Sequence, residues 1–247
     1  EKERMAAYGA DMNKYLDSGN EARIKKAYES RDPRLQMAVI TPYAQYNGAS
    51  SGIAHTYTLR WPYRGSDSAE PFDIRTDTND KFYYLWRKFV PEGLEQTERD
   101  TYGLDIPLIR YAEVLLLKAE ALNEWGSTHE SEAIRCVNEV RRRAGHVELN
   151  NATYPATKVN GQSDLRERIR NEYYWEIGGE DSMYFHELRW GTWKDKKFDN
   201  NRNGLMQMWG ETTYTWYWLG DQCWSWPIPA KEMEMNSNLE QNEGWIN

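Results

Sequence analysis

The sequence predicts a mostly α-helical protein with long loops and a few short strands. In three stretches, residues 105–122, 127–145 and 163–177, apolar side chains recur at steps of three and four residues. That spacing places them on one face of a helix. The stretches between them are rich in Gly, Ser, Asp, Asn and Thr and have no helical period. A helical core covered by loops is therefore the expected architecture.

The first part of the chain predicts two helices and a short strand. Residues 2–17 and 22–28 have helical spacing, and we expect Asp32 and Pro33 to stop the second helix. Proline disfavours the helical conformation in the residue that precedes it. Residues 36–40 then have the composition of a strand.

Residues 105–122 form the longest predicted helix, and its apolar residues occupy two faces. One face carries Ile109, Ala112, Leu116 and Ala119, and the other carries Leu108, Tyr111, Leu115 and Leu122. A helix that is apolar on two faces is packed on both, so we expect it inside the domain. Pro107 suits its first turn and Gly126 its end. Arg110 and Glu113 are spaced to meet, and we expect both to be paired, because a buried unpaired charge is costly.

A second helix follows after a tight turn. Ser127 and Glu130 have the spacing of a capping box, and Gly145 suits the end of the helix. Its apolar face consists of Ala133, Val137, Val140 and Ala144. Residues 105–145 therefore predict an antiparallel helical hairpin of the tetratricopeptide type. One such hairpin cannot bury its own face, so a stack would need partners from elsewhere.

The third helix and the tail complete the prediction. We expect Ser163 to cap the third helix, whose apolar residues at steps of four are Leu165, Ile169, Tyr173 and Ile177. Gly178 and Gly179 suit its end, residues 183–190 predict a short helix, and the tail beyond Pro229 predicts a short helix followed by coil.

Composition and charge exclude several functional classes. The net charge of −8, from 31 basic and 39 acidic residues, argues against nucleic-acid binding and suits a neutral ligand. No apolar run is long enough to span a membrane. The four histidines and two cysteines have no metal-type spacing, and we expect two core thiols in preference to a disulfide. No phosphate loop or dinucleotide fingerprint is present, so neither a metal nor a cofactor is expected.

Aromatic residues give the first candidate binding region, residues 43–90. The chain has 12 Trp and 17 Tyr but only 5 Phe, and Trp and Tyr combine an apolar face with a polar edge. Residues 43–82 predict a long loop, a feature that is more often functional than idle, and residues 82–90 predict a strand. Its candidate side chains for stacking a sugar ring are Tyr46, Trp61 and Tyr63. The alternative is that they anchor the loop onto the helices.

The second candidate region is residues 205–228. Residues 212–219 alternate as in a strand, which would place several aromatic rings on one face. The candidates are Trp209, Tyr214, Trp216 and Trp218. An exposed face would form a ladder for a polysaccharide chain. Alternatively, the ribbon covers the helices or seals against a partner.

Pairs of carboxylates could in principle hydrolyse a glycosidic bond. The pairs that are near each other in sequence are Glu180 with Asp181, Glu167 with Glu172, and Glu92 with Glu95. Because the chain has 39 acidic residues, proximity in sequence carries little information, and we expect these residues to be surface charges.

Four motifs, in order along the chain, resemble the SusD/RagB family. They are RDPRL at residues 31–35, IPLIRYAEVLLLKAEA at 106–121, LRERIRNE at 165–172 with LRWG at 188–191, and WPIP at 226–229 with NSNLEQN at 236–242. Two departures occur. Ser237 stands where the family usually has proline, and residues 178–184 replace the usual Glu-Gly-x-Arg, so no role is transferred to that loop.

The resemblance implies a function and a location. It identifies residues 1–247 as the C-terminal part of a SusD-like protein of Bacteroidetes, which binds glycans at the cell surface without catalysis. Such a protein would be an outer-membrane lipoprotein in polysaccharide utilisation and nutrient uptake, with its lipid anchor upstream of this chain. It would pass oligosaccharide or polysaccharide to a SusC-like TonB-dependent transporter. The alternatives are a surface glycoside hydrolase or lyase, and a helical-repeat scaffold that binds only protein.

Overall fold

The computed structural model describes residues 28, 31–50, 53–63, 73–77, 85–93, 103, 105–180, 182–198 and 218–245. The chain divides into two compact units, Met12–Met183 and a second unit formed by Glu1–Asp11 with Tyr184–Asn247. The predicted helix 2–17 and most of 22–28 lie outside the described residues, as do residues 212–217 of the predicted strand 212–219.

In the first unit, helix α1 spans Pro33–Ala38, which the sequence did not predict. Asp32 is its N-cap, and the Asp32 side chain accepts a hydrogen bond of 2.9 Å from the Arg34 N–H. Proline suits the first helical position, where no backbone donor is needed, so Pro33 begins this helix. The predicted strand 36–40 is correspondingly reduced to β1, Val39–Ile40.

Two small sheets follow α1. Strand β1 pairs antiparallel with β5, Leu85–Trp86, within the strand predicted at 82–90. The other sheet has the order β2–β3–β4, with β2 at Gln45–Ser50, β3 at Ile53–Tyr63 and β4 at Asp73–Asp77. β2 and β3 are antiparallel, and β3 and β4 are parallel.

The predicted loop 43–82 therefore contains three strands. Tyr46 on β2 and Leu59 on β3 are buried with Ile40 in a small core, whereas Asn47 and Thr56 pair across the exposed side. Because few apolar residues enter this core, the sequence lacks the sustained alternation that predicts a strand.

The predicted hairpin of helices is confirmed, with later starting points. α2 spans Tyr111–Trp125, a 3₁₀ turn spans Ser127–His129, and α3 spans Glu130–Arg143. Pro107 lies outside α2, and the N-cap of α3 is His129, which makes no side-chain capping bond, so the predicted capping box is wrong. Gly126 ends α2 at φ 139°, a conformation that glycine adopts without a steric penalty.

Helix α4, Gln162–Ile177, forms the core of this unit. As predicted, its buried face contains Leu165, Ile169, Tyr173 and Ile177. Its N-cap is Gly161 rather than Ser163. α4 packs against α2, whose buried apolar residues are Leu115, Leu116, Ala119 and Leu122. Both predicted apolar faces of α2 contribute to this buried surface, because α2 packs against α3 as well as α4, whereas Leu108, Ile109 and Tyr111 at its N-terminal end are exposed.

Buried ion pairs join α1, α3 and α4. Arg34 lies 2.8 Å from Glu172 and 3.1 Å from Glu176, and Arg141 lies 2.7 Å from Glu172. Glu172 is fully buried, which corrects its expected place on the surface. Arg110 is paired, as expected, but with Glu176 and Glu180, which are distant in sequence, rather than with a residue of its own turn.

The second unit contains shorter elements. Helix α5 spans Ser182–Arg189, and its part from Tyr184 onward belongs to this unit. The other elements are α6 (Trp193–Lys197), a 3₁₀ turn (Asp221–Trp224) and α7 (Ala230–Met235). α5 and α7 confirm the two short helices predicted there. Among the described residues, no helix combines the length and apolar character that crossing a membrane requires.

The tail of this unit is clamped by one glutamine. The Gln241 side chain accepts a bond of 2.7 Å from the Ile228 N–H and donates one of 2.9 Å to the Ile228 carbonyl. Asn242 donates to the Trp226 carbonyl at 2.6 Å. The side-chain amides of the NSNLEQN segment therefore hold the WPIP segment by hydrogen bonding to its backbone groups, as a neighbouring strand would.

Candidate functional site

The best candidate ligand site in the first unit is a cavity of about 340 Å³ beside the turn that connects β1 and β2. Small-molecule sites commonly occupy about 300–1,000 Å³, and this volume falls in that range. Its lining combines aromatic rings with hydrogen-bonding groups. The lining residues are Tyr28, Gln36, Thr41, Pro42, Tyr43, Ala44, Gln45 and Arg87.

Tyr43 occupies an unusual backbone conformation at this cavity. It lies in the turn Thr41–Ala44, which the Ala44 N–H closes on the Thr41 carbonyl at 2.9 Å, and its φ is 63°. Proline at the second turn position is common, whereas the third position of a turn with positive φ normally holds glycine. Tyrosine there costs roughly 1–3 kcal/mol, and such conformations cluster at functional sites.

Neighbouring strands hold this turn in place. The Tyr43 N–H donates to the Leu59 carbonyl at 2.7 Å, and the Leu59 N–H donates to the Ala44 carbonyl at 3.0 Å. The backbone of the strained residue is therefore fixed on both sides by β3, and its side chain, which borders the cavity, is buried, with 9% of its surface exposed.

Arg87 closes another side of the cavity. Its guanidinium makes a two-point contact with Glu92, with Nε–Oε1 and Nη2–Oε2 distances of 2.5 and 3.0 Å. Nη1 also reaches the carbonyls of Gln36 and Gln45, at 3.5 and 3.4 Å. Because carboxylate and guanidinium are paired, the cavity is polar without a large excess of charge.

This combination suits a sugar ring. Tyrosine rings offer flat apolar surfaces to the C–H face of a sugar, and amide, hydroxyl and guanidinium groups can bond its hydroxyls. Sequence reasoning missed the cavity residues, although the Pro42–Tyr43 pair at a turn is a local signal that could have identified one of them.

The loop candidates have different positions. Tyr46 is only 6% exposed, and its hydroxyl donates to the Pro91 carbonyl at 2.5 Å. Tyr46 therefore fits the alternative interpretation, in which it anchors the loop. Trp61 and Tyr63 lie on β3, and their side chains are outside the described part of the structure.

In the second unit, Trp218 lies in an aromatic cluster. Its ring centroid is 5.7 Å from that of Trp193, 5.2 Å from Phe198 and 5.0 Å from Trp224. The Trp218 indole N–H also donates to Asp221 at 3.3 Å. Several faces of this ring are therefore occupied by neighbours. Trp209, Tyr214 and Trp216 lie outside the described residues and stay candidates.

The structure also shows an exposed aromatic pair that the sequence did not single out. Trp226 and Phe185 are largely exposed, and the Trp226 indole N–H donates to the Tyr184 hydroxyl at 3.0 Å. The position of Trp226 next to the clamped motif explains its fixed orientation. It is a second surface on which a ligand ring could stack.

The candidate carboxylates that the structure describes are engaged in ion pairs, whereas Glu95 and Asp181 lie outside the described residues. Burial opposes ionisation of Glu180, but hydrogen bonds from Arg110 and Lys88 outweigh it, and the pKa of Glu180 lies below its ordinary value. Glu92 is held by Arg87, and Glu167 lies 3.1 Å from Arg170. A general acid needs a raised pKa, so Glu180 is poorly suited to that role.

The described residues give little support for a metal site or for a reactive thiol. Within the ranges that the structure describes, no group of three or more His, Cys, Asp or Glu side chains could hold a metal ion. Both cysteines are free thiols, Cys136 buried and Cys223 half-buried. Burial raises the pKa of the Cys136 thiol.

Comparison with known proteins gives a consistent result. A model of the SusD family matches residues 8–245. SusD-like protein P38 of Formosa agariphila is 32% identical over 139 residues, which are 56% of this chain and 24% of that protein. The starch-binding protein SusD of Bacteroides thetaiotaomicron is 28% identical over 161 residues, or 65% of this chain and 25% of that protein.

Solved structures show the same likeness. A SusD-like protein of Bacteroides fragilis superposes with a TM-score of 0.62 at 21% identity, covering 89% of this chain and 40% of that one. A SusD-like carbohydrate binding protein of the same species gives a TM-score of 0.53 at 25% identity, covering 86% and 42%. The matched parts are thus about a quarter of the curated relatives and two fifths of the solved ones.

Proposed function

The chain belongs to the SusD family, and from that premise we propose that it captures an oligosaccharide or polysaccharide at the cell surface. The observation that carries the proposal is the cavity at Tyr43, whose volume and mixed aromatic and polar lining suit a sugar ring. The names of two relatives support it, since one binds starch and another is described as carbohydrate binding.

Delivery to a SusC-like TonB-dependent transporter is the second part of the proposal. It rests on family membership and entails an outer-membrane location with a lipid anchor upstream of these residues. A carrier that must release its cargo needs only modest affinity, with a dissociation constant in the micromolar to millimolar range, or about −4 to −8 kcal/mol.

We further propose that binding occurs without catalysis. Glu92, Glu167, Glu172 and Glu180, which sequence proximity offered as catalytic carboxylates, all lie in ion pairs with basic side chains. For Glu180, hydrogen bonds from Arg110 and Lys88 outweigh burial and hold the pKa below its ordinary value, which does not suit the general acid of glycoside hydrolysis.

The test is affinity electrophoresis of the protein against starch and a panel of neutral and acidic polysaccharides. Retardation is expected for the native protein and for Tyr43→Phe, which keeps the ring. Tyr43→Ala should weaken binding about tenfold or more. Stacking of a flat ligand ring, such as a nucleobase, on an aromatic side chain contributes of order 1–3 kcal/mol, and a sugar ring is expected to lose a similar contribution. Tyr154→Ala is the matched control, since Tyr154 is exposed and does not line the cavity.

Each other outcome has a defined meaning. Equal retardation of Tyr43→Ala and Tyr154→Ala would exclude the cavity, and the same gels with Trp61→Ala, Trp218→Ala and Trp226→Ala would then locate the site. Assays of the same mixtures for new reducing ends should show none, and their appearance would replace capture by hydrolysis. No retardation by any glycan would favour a scaffold that binds only protein.

A further inference from the structure

A smaller cavity beside α1 in the first unit carries an unusual number of basic side chains. Its volume is about 130 Å³, enough for a small ion or a few water molecules of about 30 Å³ each. The charged residues that line it are Arg34, Lys88, Arg110, Arg143 and Glu176. Four cations thus face the cavity with one carboxylate among them. We name it the Arg143 cavity.

The single lining carboxylate is shared by three guanidinium groups. Glu176 is buried, and its Oε1 lies 2.9 Å from Arg110. Its Oε2 lies 3.1 Å from Arg34 and also contacts Arg143. One negative charge therefore attracts three positive charges, and it cannot neutralise all of them.

Carboxylates behind the lining do not remove this excess. Among the described residues, the connected cluster consists of Arg34, Lys88, Arg110, Arg141 and Arg143 with Asp32, Glu172, Glu176 and Glu180. Five cations are thus joined to four carboxylates, in a chain whose formal net charge is −8. The cluster has a local positive excess that the composition of the chain does not suggest.

Arg143 carries most of this excess. It is the last residue of α3, and its side chain is 58% exposed. Within the described part of the chain, its guanidinium contacts Glu176 through Nη2 alone. A guanidinium has five N–H donors in a planar fork, so Nε and Nη1 of Arg143 keep their donors for a ligand.

An apolar wall completes the Arg143 cavity. Met37, Ala38 and Trp175 line it beside the charged groups. The Trp175 ring lies 5.7 Å from the Arg141 guanidinium carbon and 5.6 Å from the ring of His146, which supports it from the protein side. An apolar wall keeps water away from one side of a bound ion, and attraction between charges is stronger where water is excluded.

We propose that the Arg143 cavity binds a small oxyanion, namely the carboxylate, sulfate or phosphate group of a small molecule. Such groups accept the paired N–H donors of a guanidinium at short range, and the excess positive charge attracts them. The volume admits the charged group with at most a short carbon skeleton. Because Glu176 competes for the same cations, we expect dissociation constants of about a millimolar.

The Arg143 cavity is distinct from the cavity at Tyr43, although the same two segments line both. Gln36 and Arg87 line the cavity at Tyr43, whereas the residues that follow them, Met37 and Lys88, line the Arg143 cavity. The oxyanion proposal therefore does not depend on glycan capture, and the failure of either proposal leaves the other standing.

The test is the rate at which phenylglyoxal, a reagent for guanidinium groups, modifies Arg143 in the folded protein, mapped by mass spectrometry. Arg142 is the internal control, because it is 64% exposed and pairs with Glu148 outside the cavity. Sodium sulfate replaces sodium chloride at constant ionic strength. Saturating sulfate should slow modification of Arg143 about fivefold or more and that of Arg142 less than about twofold, because the reagent reaches only unoccupied cavities.

A pair of variants gives a second measurement. Sulfate raises the melting temperature of proteins through its exclusion from their surfaces, and specific binding adds to that rise. Arg143→Gln should lose the added part, whereas Arg142→Gln, the same change of charge at the preceding position, should keep it. Equal protection of the two arginines by sulfate would overturn the proposal, and so would equal rises of melting temperature in the two variants.

Other anions identify the source of the oxyanion. Stronger protection of Arg143 by glucuronate than by acetate would assign the group to an acidic sugar, and strongest protection by inorganic phosphate or sulfate would assign it to a free ion. Both results support an oxyanion site. Glucose is the uncharged control, and protection by glucose as strong as that by glucuronate would overturn the proposal, because charge would then not be recognised.

Discussion

Arg34 is the residue that best shows how the family motifs become structure. It belongs to the RDPRL motif, and its guanidinium contacts Asp32 at 2.6 Å and Glu172 at 2.8 Å. Burial opposes its charge, yet these partners raise the pKa of Arg34 above its ordinary value. Motifs separated by more than a hundred residues thus meet at one side chain. Removing Arg34 would leave the buried Glu172 carboxylate without one of its two guanidinium partners, which destabilises the fold.

Glu180 gives a prediction at the same scale. Its folded pKa lies below the ordinary value of 4.5, so ionised Glu180 stabilises the fold above that pH and loses its effect as pH falls through the folded pKa. Glu180→Gln should lower the free energy of unfolding by roughly 2 kcal/mol at neutral pH. It should also make the loss of stability on acidification smaller, as measured by urea unfolding between about pH 3.5 and 7.

Glu148→Gln is the control for this prediction. Glu148 pairs with Arg142 on the exposed surface, where solvent screens the attraction, so this substitution should change the free energy of unfolding little. A small residual acid sensitivity is expected in Glu180→Gln, because the pKa of Asp32 is lowered as well: burial opposes its ionisation, and Arg34 outweighs burial. Parallel loss of stability in the native protein and in Glu180→Gln would contradict the assignment.

At the scale of elements, the clamp on the WPIP segment explains the final motif. Two hydrogen bonds join the Gln241 side chain to Ile228, and one joins Asn242 to Trp226. The proline residues cannot donate backbone hydrogen bonds, so this segment cannot form a regular helix or sheet. Side-chain amides supply the missing partners, which is why Gln and Asn recur in the tail.

Gln241→Ala should loosen this segment locally. Hydrogen exchange of the Ile228 amide should become about tenfold faster, because loss of these bonds lowers the local opening free energy by of order 1–2 kcal/mol. Glu240→Ala, an exposed neighbour, should leave that rate nearly unchanged. If both variants exchange at the native rate, the Ile228 amide is protected by something other than the clamp.

Another lesson at this scale concerns α1. Asp32 and Pro33 were interpreted as a stop for the preceding helix, and the structure shows that they also begin a new one. The cap provided by Asp32, together with the ion pairs of Arg34, supports this beginning. Local sequence signals therefore located a boundary without predicting the helix that starts there.

For the whole molecule, net charge is the feature that bears on function. The chain carries a formal charge of −8, and the cations around Glu176 are paired with carboxylates. A neutral glycan should therefore bind with an affinity that changes less than about twofold between low and high salt, because only charged contacts are screened. Isothermal titration over a range of NaCl concentrations measures this. A steep fall in affinity with salt would instead indicate an acidic glycan.

The helical class, the hairpin within 105–145, the buried face of α4 and membership of the SusD family could all be read from the amino-acid sequence. These depend on periodicity and on contiguous motifs, which are local properties of the chain. The strands within 43–82 could not be read from the sequence, because their buried apolar residues in the described part of the chain, Tyr46 and Leu59, are too far apart in sequence to form a sustained alternation.

The meeting of the charged motifs and the position of the ligand cavity depend on tertiary packing. The partners of Arg34 and Arg110 lie on α4, and the pairing of opposite charges that are distant in sequence has no signature in a single sequence. The cavity at Tyr43 likewise joins residues between 28 and 45 to Arg87, which follows β4 in the chain. Packing also determined which apolar residues of α2 are buried, since each of its two predicted apolar faces contains both buried and exposed side chains.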